Sequence, residues 1–299
     1  MASTREMRLR ISSIKNLAQV TRAQETVSAS KVRRAVQANQ ATKPYSEKAW
    51  KTLIHLARQP GHQSLHPLLA EREIVRKVLV LMISSDRGLA GAYNVNIVRQ
   101  TLHEFNPNPA PVTYVTVGRK GRDMLLRRRK LVLAEFAGIS ATPTFLEAAP
   151  IGRLVVDEFL RGDVDQVYIA YTEFENMLRQ VPVIRKLLPL EVEFLSPEQH
   201  RLDATHKSTA VFEYEPGQAE LLYEIIPRFT ALQIYQSILS AQASEHAARM
   251  IAMRNATDAA KDLVSVLQLE YNKVRQAIIT NEMLDISGGA EALAKASAH

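Results

Sequence analysis

RFTALQIYQSILSAQASEHAARMIAMRNATDAAKDLVSVLQLEYNKVRQAIITNEMLDIS, from Arg228 to Ser287, runs sixty residues without a glycine or a proline. Those two residue types cost roughly 1 and 3 kcal/mol in a helix interior, so a stretch free of both is a helix signal. At about 1.5 Å per residue it can form a rod of roughly 90 Å, far longer than an ordinary globular helix of about 11–12 residues. Working outward, the first forty-three residues, Met1 to Lys43, lack both types as well. Long helices at both ends with compact material between them predict an antiparallel pairing of the ends into a shaft. Such a shaft transmits motion rather than catalysing a reaction.

The helical spacing on each end supports that pairing. Met7, Ile11, Ile14, Ala18, Thr21, Glu25, Ser28, Val32 and Ala35 alternate three- and four-residue steps, the spacing of a coiled-coil seam. Ser3 or Thr4 can cap the start, with Glu6 in the first turn, and Pro44 and Gln59-Pro60-Gly61 weaken or end the helix. In the C-terminal helix the expected seam is Ala248, Ala252, Ala256, Ala259, Leu263, Val266, Val274 and Ile278, broken at Glu270. Successive alanines let a neighbouring helix approach closely. Gln24, Glu25 and Asn255 are polar seam residues, and they either fix register or face a partner.

Between the helices the pattern alternates. Lys77–Ser84 is a buried-strand run, followed by a glycine-containing loop and a helix over Val95–Phe105. Pro111–Val117 and Leu131–Phe136 read as strands, Arg119–Arg129 and Pro143–Arg161 as helices. Val164–Glu173 and Val181–Leu188 read as a strand pair, and Thr209–Tyr214 as one further strand. The fold class is therefore α/β plus long α: an antiparallel coiled coil of the terminal helices with an inserted Rossmann-like α/β domain. The expected division is an N-terminal shaft helix over 1–60, an α/β domain with connectors over 61–217, and a C-terminal shaft helix and tail over 218–299.

Composition excludes several chemistries. The 299 residues contain no cysteine, which removes disulfides, thiolate nucleophiles and Cys-ligated zinc. Met1–Arg8 has no apolar core suited to a secretion signal, and no run reaches the length of a membrane span. Residues 1–60 hold twelve Lys/Arg against three acids, so the whole positive excess of the +7 chain lies there. A basic helix attracts nucleic acid, anionic lipid or an acidic protein surface, or is simply a solvated face. Arg127-Arg128-Arg129-Lys130 sits at a helix end, where cations favour the macrodipole.

The loop Ser84–Asn94 lies where dinucleotide folds hold a pyrophosphate, but Gly88 and Gly91 lack the third glycine of that fingerprint. No Walker-type motif and no G-x-S-x-G occur, and His62 and His66 sit in a connector. The residues offer no catalytic set, no cofactor site and no metal site.

These residues resemble the gamma subunits of F-type ATP synthases nearly end to end. Ile11-Ser-Ser-Ile-Lys15-Asn16 through Ala23, and Ser28-Ala-Ser30-Lys31, resemble the family's opening. Ser85-Asp86-Arg87-Gly88-Leu89-Ala90-Gly91 resembles its glycine loop, with Ala90 in place of the usual cysteine. Glu245–Asp258 resembles the middle of its last helix. Tyr271-Asn272-Lys273-Val274-Arg275-Gln276-Ala277, with Thr280, Glu282 and Gly288-Gly289-Ala290, resembles its terminal signature. Gln24 stands where a methionine is common, and the cysteine-bearing regulatory insertion of chloroplast members is missing.

The resemblance implies a non-catalytic rotor that couples proton flow through a c-ring to ATP synthesis on beta subunits and regulates ATPase activity and proton flow. Implied partners are an alpha–beta hexamer, the epsilon subunit and the c-ring, with no nucleic acid. The implied location is peripheral, on the cytoplasmic side of the cell membrane, through the complex. By motif position Arg275, Gln276 and Thr280 would engage the beta subunits. Lys15, Arg22 and Lys31 are candidates for acidic beta loops, and Glu215 for the c-ring. Asp86, Arg87, Gly88 and Gly91 form the motif loop. The coupling ion, proton or sodium, stays open. The alternatives are a basic coiled-coil nucleic-acid-binding protein, marked by a steep salt dependence, and a nucleotide-binding α/β enzyme, marked by ligand binding at Gly88–Gly91.

Overall fold

A computed structural model of the chain describes residues 4–57, 66–70, 72, 74–190 and 218–296. In order they form α1 (Thr4–Ala57), β1 (Val78–Ile83), α2 (Tyr93–Phe105), β2 (Val112–Val117), α3 (Arg119–Arg127), β3 (Leu131–Phe136), α4 (Phe145–Arg161), β4 (Gln166–Phe174), β5 (Gln180–Leu188) and α5 (Gln218–Ala296). The strand expected over Thr209–Tyr214 lies outside the described residues, as do Ser3 and the Gln59-Pro60-Gly61 segment.

Two compact units result, one from residues up to Val27 with those from Met250 onward, the other from Ser28–Arg249. In the first, α1 and α5 pair antiparallel. Arg8 donates to the Tyr271 hydroxyl at 2.7 Å, and the Thr21 and Thr257 hydroxyls meet at 2.7 Å. Moving up α1 therefore means moving down α5. The α1 seam is as expected: Met7, Ile11 and Thr21 are buried, with Ile14 and Ala18 half-buried between them.

The α5 seam differs from expectation by one residue. Met253, Thr257 and Ala260 are buried and Val264, Leu267, Tyr271 and Val274 half-buried, an unbroken three–four alternation. Ala252 and Ala256 are only half-buried, while Ala259, Leu263, Val266 and Ile278 are exposed, and Asn255 faces outward too. The expected seam took three successive four-residue steps from Val266 to Ile278, which a pair with a mean period near 3.5 cannot sustain. It rejoins the observed one at Val274. The polar pair that fixes register is Thr21 with Thr257: one hydroxyl donates across the seam while the other donates to its own helix, Thr21 at Leu17 or Thr257 at Met253.

This register makes a testable contrast. Ala260→Leu is expected to overpack the seam and destabilise the chain by about 1–3 kcal/mol, while Ala259→Leu stays within about 0.5. Urea titration of both variants reads the difference; equal losses would contradict the register.

In the second unit β1 supplies the centre. All six of its residues are buried, with Val78, Val80 and Met82 on one face and Leu79, Leu81 and Ile83 on the other. That two-sided apolar run is what a strand covered by helices on both faces requires. The strand order is β3-β2-β1-β4-β5, parallel except for the antiparallel β4–β5 pair. Ile97, Val98 and Leu102 of α2 with Leu125 of α3 cover one face; Ile151, Val155 and Phe159 of α4 with Ile226, Phe229 and Ile238 of α5 cover the other. Asp165 ties the incoming chain to the sheet, accepting from the Arg72 guanidinium at 2.7 Å and from the Arg76 and Lys77 backbone. Burial works to raise its carboxyl, but those donors hold it below the usual carboxylate range.

Both long helices pass through residues that weaken a helix. α1 continues through Pro44, whose ring leaves the Gln40 carbonyl without its helical donor; both residues are exposed, so water can serve that carbonyl. α5 runs through Pro227 and on through Gly288 and Gly289.

Candidate functional surfaces

The loop after β1 is held from both sides. Asp86 accepts from the backbone of Arg119 at 3.1 Å and of Gly138 at 2.8 Å, joining the ends of β1, β2 and β3. Ser85 donates its hydroxyl to the Arg87 carbonyl at 2.6 Å, and its backbone N–H to Asn94 at 3.0 Å. Gly91 has φ 56°, left-handed backbone that glycine adopts without a Cβ penalty. The carbonyls of Arg87 and Gly88 point at the Arg249 guanidinium of α5, 3.3 to 3.4 Å away. Arg249 in turn pairs with Glu245 at 2.7 Å, both side chains some 85% buried (14% and 15% exposed).

In sheets of this order a ligand sits beyond the carboxyl ends of the strands where the order reverses, here between β1 and β4. The structure fills that place with α5. Ser240 accepts from the Phe174 N–H at 2.9 Å, Ser244 donates to the Thr172 carbonyl at 3.1 Å, and Tyr93 donates to the Ala241 carbonyl at 3.1 Å. What remains is a cavity of about 40 Å³ lined by Ser84, Asp86, Gln242 and Glu245 among apolar neighbours. Ligand pockets run to roughly 300 Å³ and more, so a nucleotide does not fit this crevice. The glycine loop anchors a helix where a dinucleotide fold anchors a pyrophosphate.

The other candidates lie on the long helices. Lys15 and Arg22 are exposed on α1, whereas Lys31 is half-buried and close enough to act on Glu245 and His246. Arg275, Gln276 and Thr280 are exposed on α5, where the Thr280 hydroxyl donates to the Gln276 carbonyl at 3.0 Å. Every residue from 275 to 290 is exposed, among them Ile278, Ile279, Met283, Leu284 and Ile286. Glu215 lies outside the described residues. The structure thus brings Arg275, Gln276 and Thr280 onto one short helix segment, while the motif loop belongs to the other compact unit.

A family model described as ATP synthase matches residues 3–293. The ATP synthase gamma chain of Dehalococcoides mccartyi strain CBDB1 is 44% identical over 295 residues, covering 98% of this chain and 100% of the relative. That of Roseiflexus castenholzii strain DSM 13941 / HLO8 is 42% identical over 298 residues, covering 99% and 100%. The chain belongs to the ATP synthase gamma-chain family. The fold agrees with a chain of the Euglena gracilis mitochondrial ATP synthase (OSCP/F1/c-ring, rotational state 3), at TM-score 0.67 and 20% identity, covering 97% of this chain and 94% of that one. It also agrees with a chain of the central stalk/c-ring structure of the Tetrahymena thermophila enzyme, at TM-score 0.60 and 24% identity, covering 79% and 99%. The nucleic-acid-binding alternative gains no support from these relatives.

For a gamma chain the centre that sequence reasoning missed is Glu245–His246–Arg249. Its signal was a Glu–Arg pair four apart amid small residues, a spacing that places both on one helix face. Burial raises the Glu245 carboxyl against the pull of Arg249. Burial, with the charges of Arg249 and Lys31, lowers the His246 imidazole from 6.5 to about 4. Between those values the unfolded chain binds a proton that the folded chain does not. Stability from His246 is therefore complete above pH 6.5 and is lost as pH falls toward about 4, by at most about 3 kcal/mol. His246→Gln is expected to flatten that part of the stability–pH curve in urea titrations; an unchanged acid limb would contradict it.

Proposed function

We propose that this gamma chain is the central rotor of an F-type ATP synthase, turning inside a hexamer of alpha and beta subunits and carrying rotation between a c-ring and the catalytic sites. The observation that carries the reading is the end of α5: sixteen consecutive exposed residues, 275 to 290, in a chain related over its length to ATP synthase gamma chains. A lone helix with exposed Ile278, Ile279, Met283, Leu284 and Ile286 suits a protein sleeve, since contiguous exposed apolar surface marks an interaction site.

Arg275, Gln276 and Thr280 engage the beta subunits in this reading, with a guanidinium and an amide suited to partner carboxylates and carbonyls. Lys15 and Arg22 meet acidic beta loops from the exposed side of α1. Lys31 is the weaker candidate, because its charge is directed at Glu245 and His246. Glu215 is assigned to the c-ring face and the α/β domain to the foot of the rotor, where epsilon binds. The two terminal helices form the shaft and the α/β body between them the foot, following the division at 1–60, 61–217 and 218–299.

ATP chemistry stays on the beta subunits, since α5 fills the crevice that would hold a nucleotide. Among the described residues no helix is long and apolar enough to cross a membrane, and the rotor reaches the cytoplasmic face of the cell membrane through the complex. Co-expression with alpha and beta subunits of the same organism tests the reading. A stable complex holding one copy of this chain per three alpha–beta pairs is expected, and hexamers that form and hydrolyse ATP without retaining the chain would refute it.

A further inference from the structure

We infer that Arg249 is a positioning residue that locks α5 to the glycine loop, so that torque on the α/β body reaches the shaft without slack. The inference rests on the rotor reading for its second half only. Arg249 is the last residue of the unit that contains the α/β body, so it stands where α5 leaves that body. Its planar fork meets four acceptors from two segments: on α5, Glu245 Oε1 at 2.7 Å and His246 Nδ1 at 3.3 Å, and on the loop, the Gly88 carbonyl at 3.3 to 3.4 Å and the Arg87 carbonyl at 3.4 Å.

The loop it holds is itself fixed onward, because Asp86 takes the N–H groups of Arg119 and Gly138. One guanidinium thereby links the last helix to the ends of β1, β2 and β3. Nothing in this arrangement resembles a ligand site: the loop carbonyls that face Arg249 are acceptors, the wrong polarity for a phosphate. It does resemble a clamp, since an arginine presents five donors in a rigid plane and a lysine only a point charge. Lys31 and Asp86 are the other charges facing the Arg249–Glu245 pair, and the four balance to neutrality.

Two variants and two readouts test it. In the isolated full chain, Arg249→Gln is expected to speed amide exchange across residues 86–91 by about tenfold or more, the size of a lost charged hydrogen bond. Arg249→Lys keeps the pairing with Glu245 and restores thermal stability, but cannot span both loop carbonyls, so loop exchange stays fast. In the complex with the other subunits, both variants are expected to hydrolyse ATP while pumping fewer protons per ATP than the wild type.

Unchanged loop protection in Arg249→Gln would overturn the lock, whatever the chain's role in the complex. Fast exchange with full coupling in both variants would overturn the transmission of torque and leave a purely structural ion pair. Full recovery of coupling by Arg249→Lys would show that charge alone suffices and sink the clamp. If the wild-type chain itself fails to enter the complex, the rotor reading falls, and the exchange arm still decides the lock.

Discussion

Replacing Arg275 and Gln276 together by alanine is expected to reduce ATP-driven proton pumping and ATP turnover of the assembled enzyme by tenfold or more, with the chain's own fold intact. Both side chains are exposed, one and two positions beyond half-buried Val274, so neither packs in the seam. Alanine is also the best helix former, which leaves α5 undisturbed. The Thr280 hydroxyl bonds the Gln276 carbonyl, a backbone group that the substitution retains. What disappears is the capacity for hydrogen bonds to a partner, each worth about 1.5–3 kcal/mol when one member is charged, and about 1.4 kcal/mol is a factor of ten. Circular dichroism of the isolated chain and pumping by the reconstituted complex separate the two effects. Normal pumping with normal helicity would remove these residues from the beta interface.

Gly118→Ala is expected to be the most damaging single methyl in the α/β body. Gly118 has φ 95° and ψ 139°, a region essentially reserved for glycine. A Cβ there would also meet the Ser84 carbonyl group, whose carbon would lie 2.8 Å away. Ser84 cannot withdraw, because its hydroxyl bonds the Val117 carbonyl at 3.0 Å and the Gly121 N–H at 2.9 Å, holding β1 to β2 and to the start of α3. Backbone strain of roughly 1–3 kcal/mol adds to overpacking of roughly 1–3, a large part of the stability of an ordinary domain. Gly88→Ala is the contrast. A Cβ at Gly88 would meet only the far end of Lys120 at 3.9 Å, so it is expected to fold normally despite belonging to the motif loop. Soluble yield and melting temperature report both, and equal tolerance of the two would contradict the geometry at Gly118.

The strands were legible because each is a short apolar run between turn residues, and β3 begins and ends where the sequence places it, at Leu131 and Phe136. The α1 seam was legible as well, since Met7 and Ile11 are large and leave no choice of face. The α5 seam was not. Alanine packs or tolerates solvent equally well, so Ala252, Ala256 and Ala259 gave a pattern as regular as the true one at Met253, Thr257 and Ala260. Only the long-range contacts of Thr21 with Thr257 and Arg8 with Tyr271 decide between them. Pro44 reads as a residue that weakens or ends α1, and the helix passes through it, as α5 passes through Pro227 and Gly288-Gly289. The motif loop was legible by position but not by purpose. Its role depends on Arg249, which lies 161 residues beyond Gly88 in the chain. Arg275, Gln276 and Thr280 were singled out by motif rather than by chemistry, because an exposed helix end looks the same whether or not a partner covers it.

The central claim is that this chain turns as a body within the alpha–beta hexamer. Single-molecule observation tests it most directly: the hexamer is fixed to a surface, a marker is attached to the α/β body of this chain, and ATP is supplied. The account predicts rotation of the marker in one direction, in discrete steps, stopping when ATP is withdrawn. Steady ATP hydrolysis with the marker fixed relative to the hexamer would contradict it.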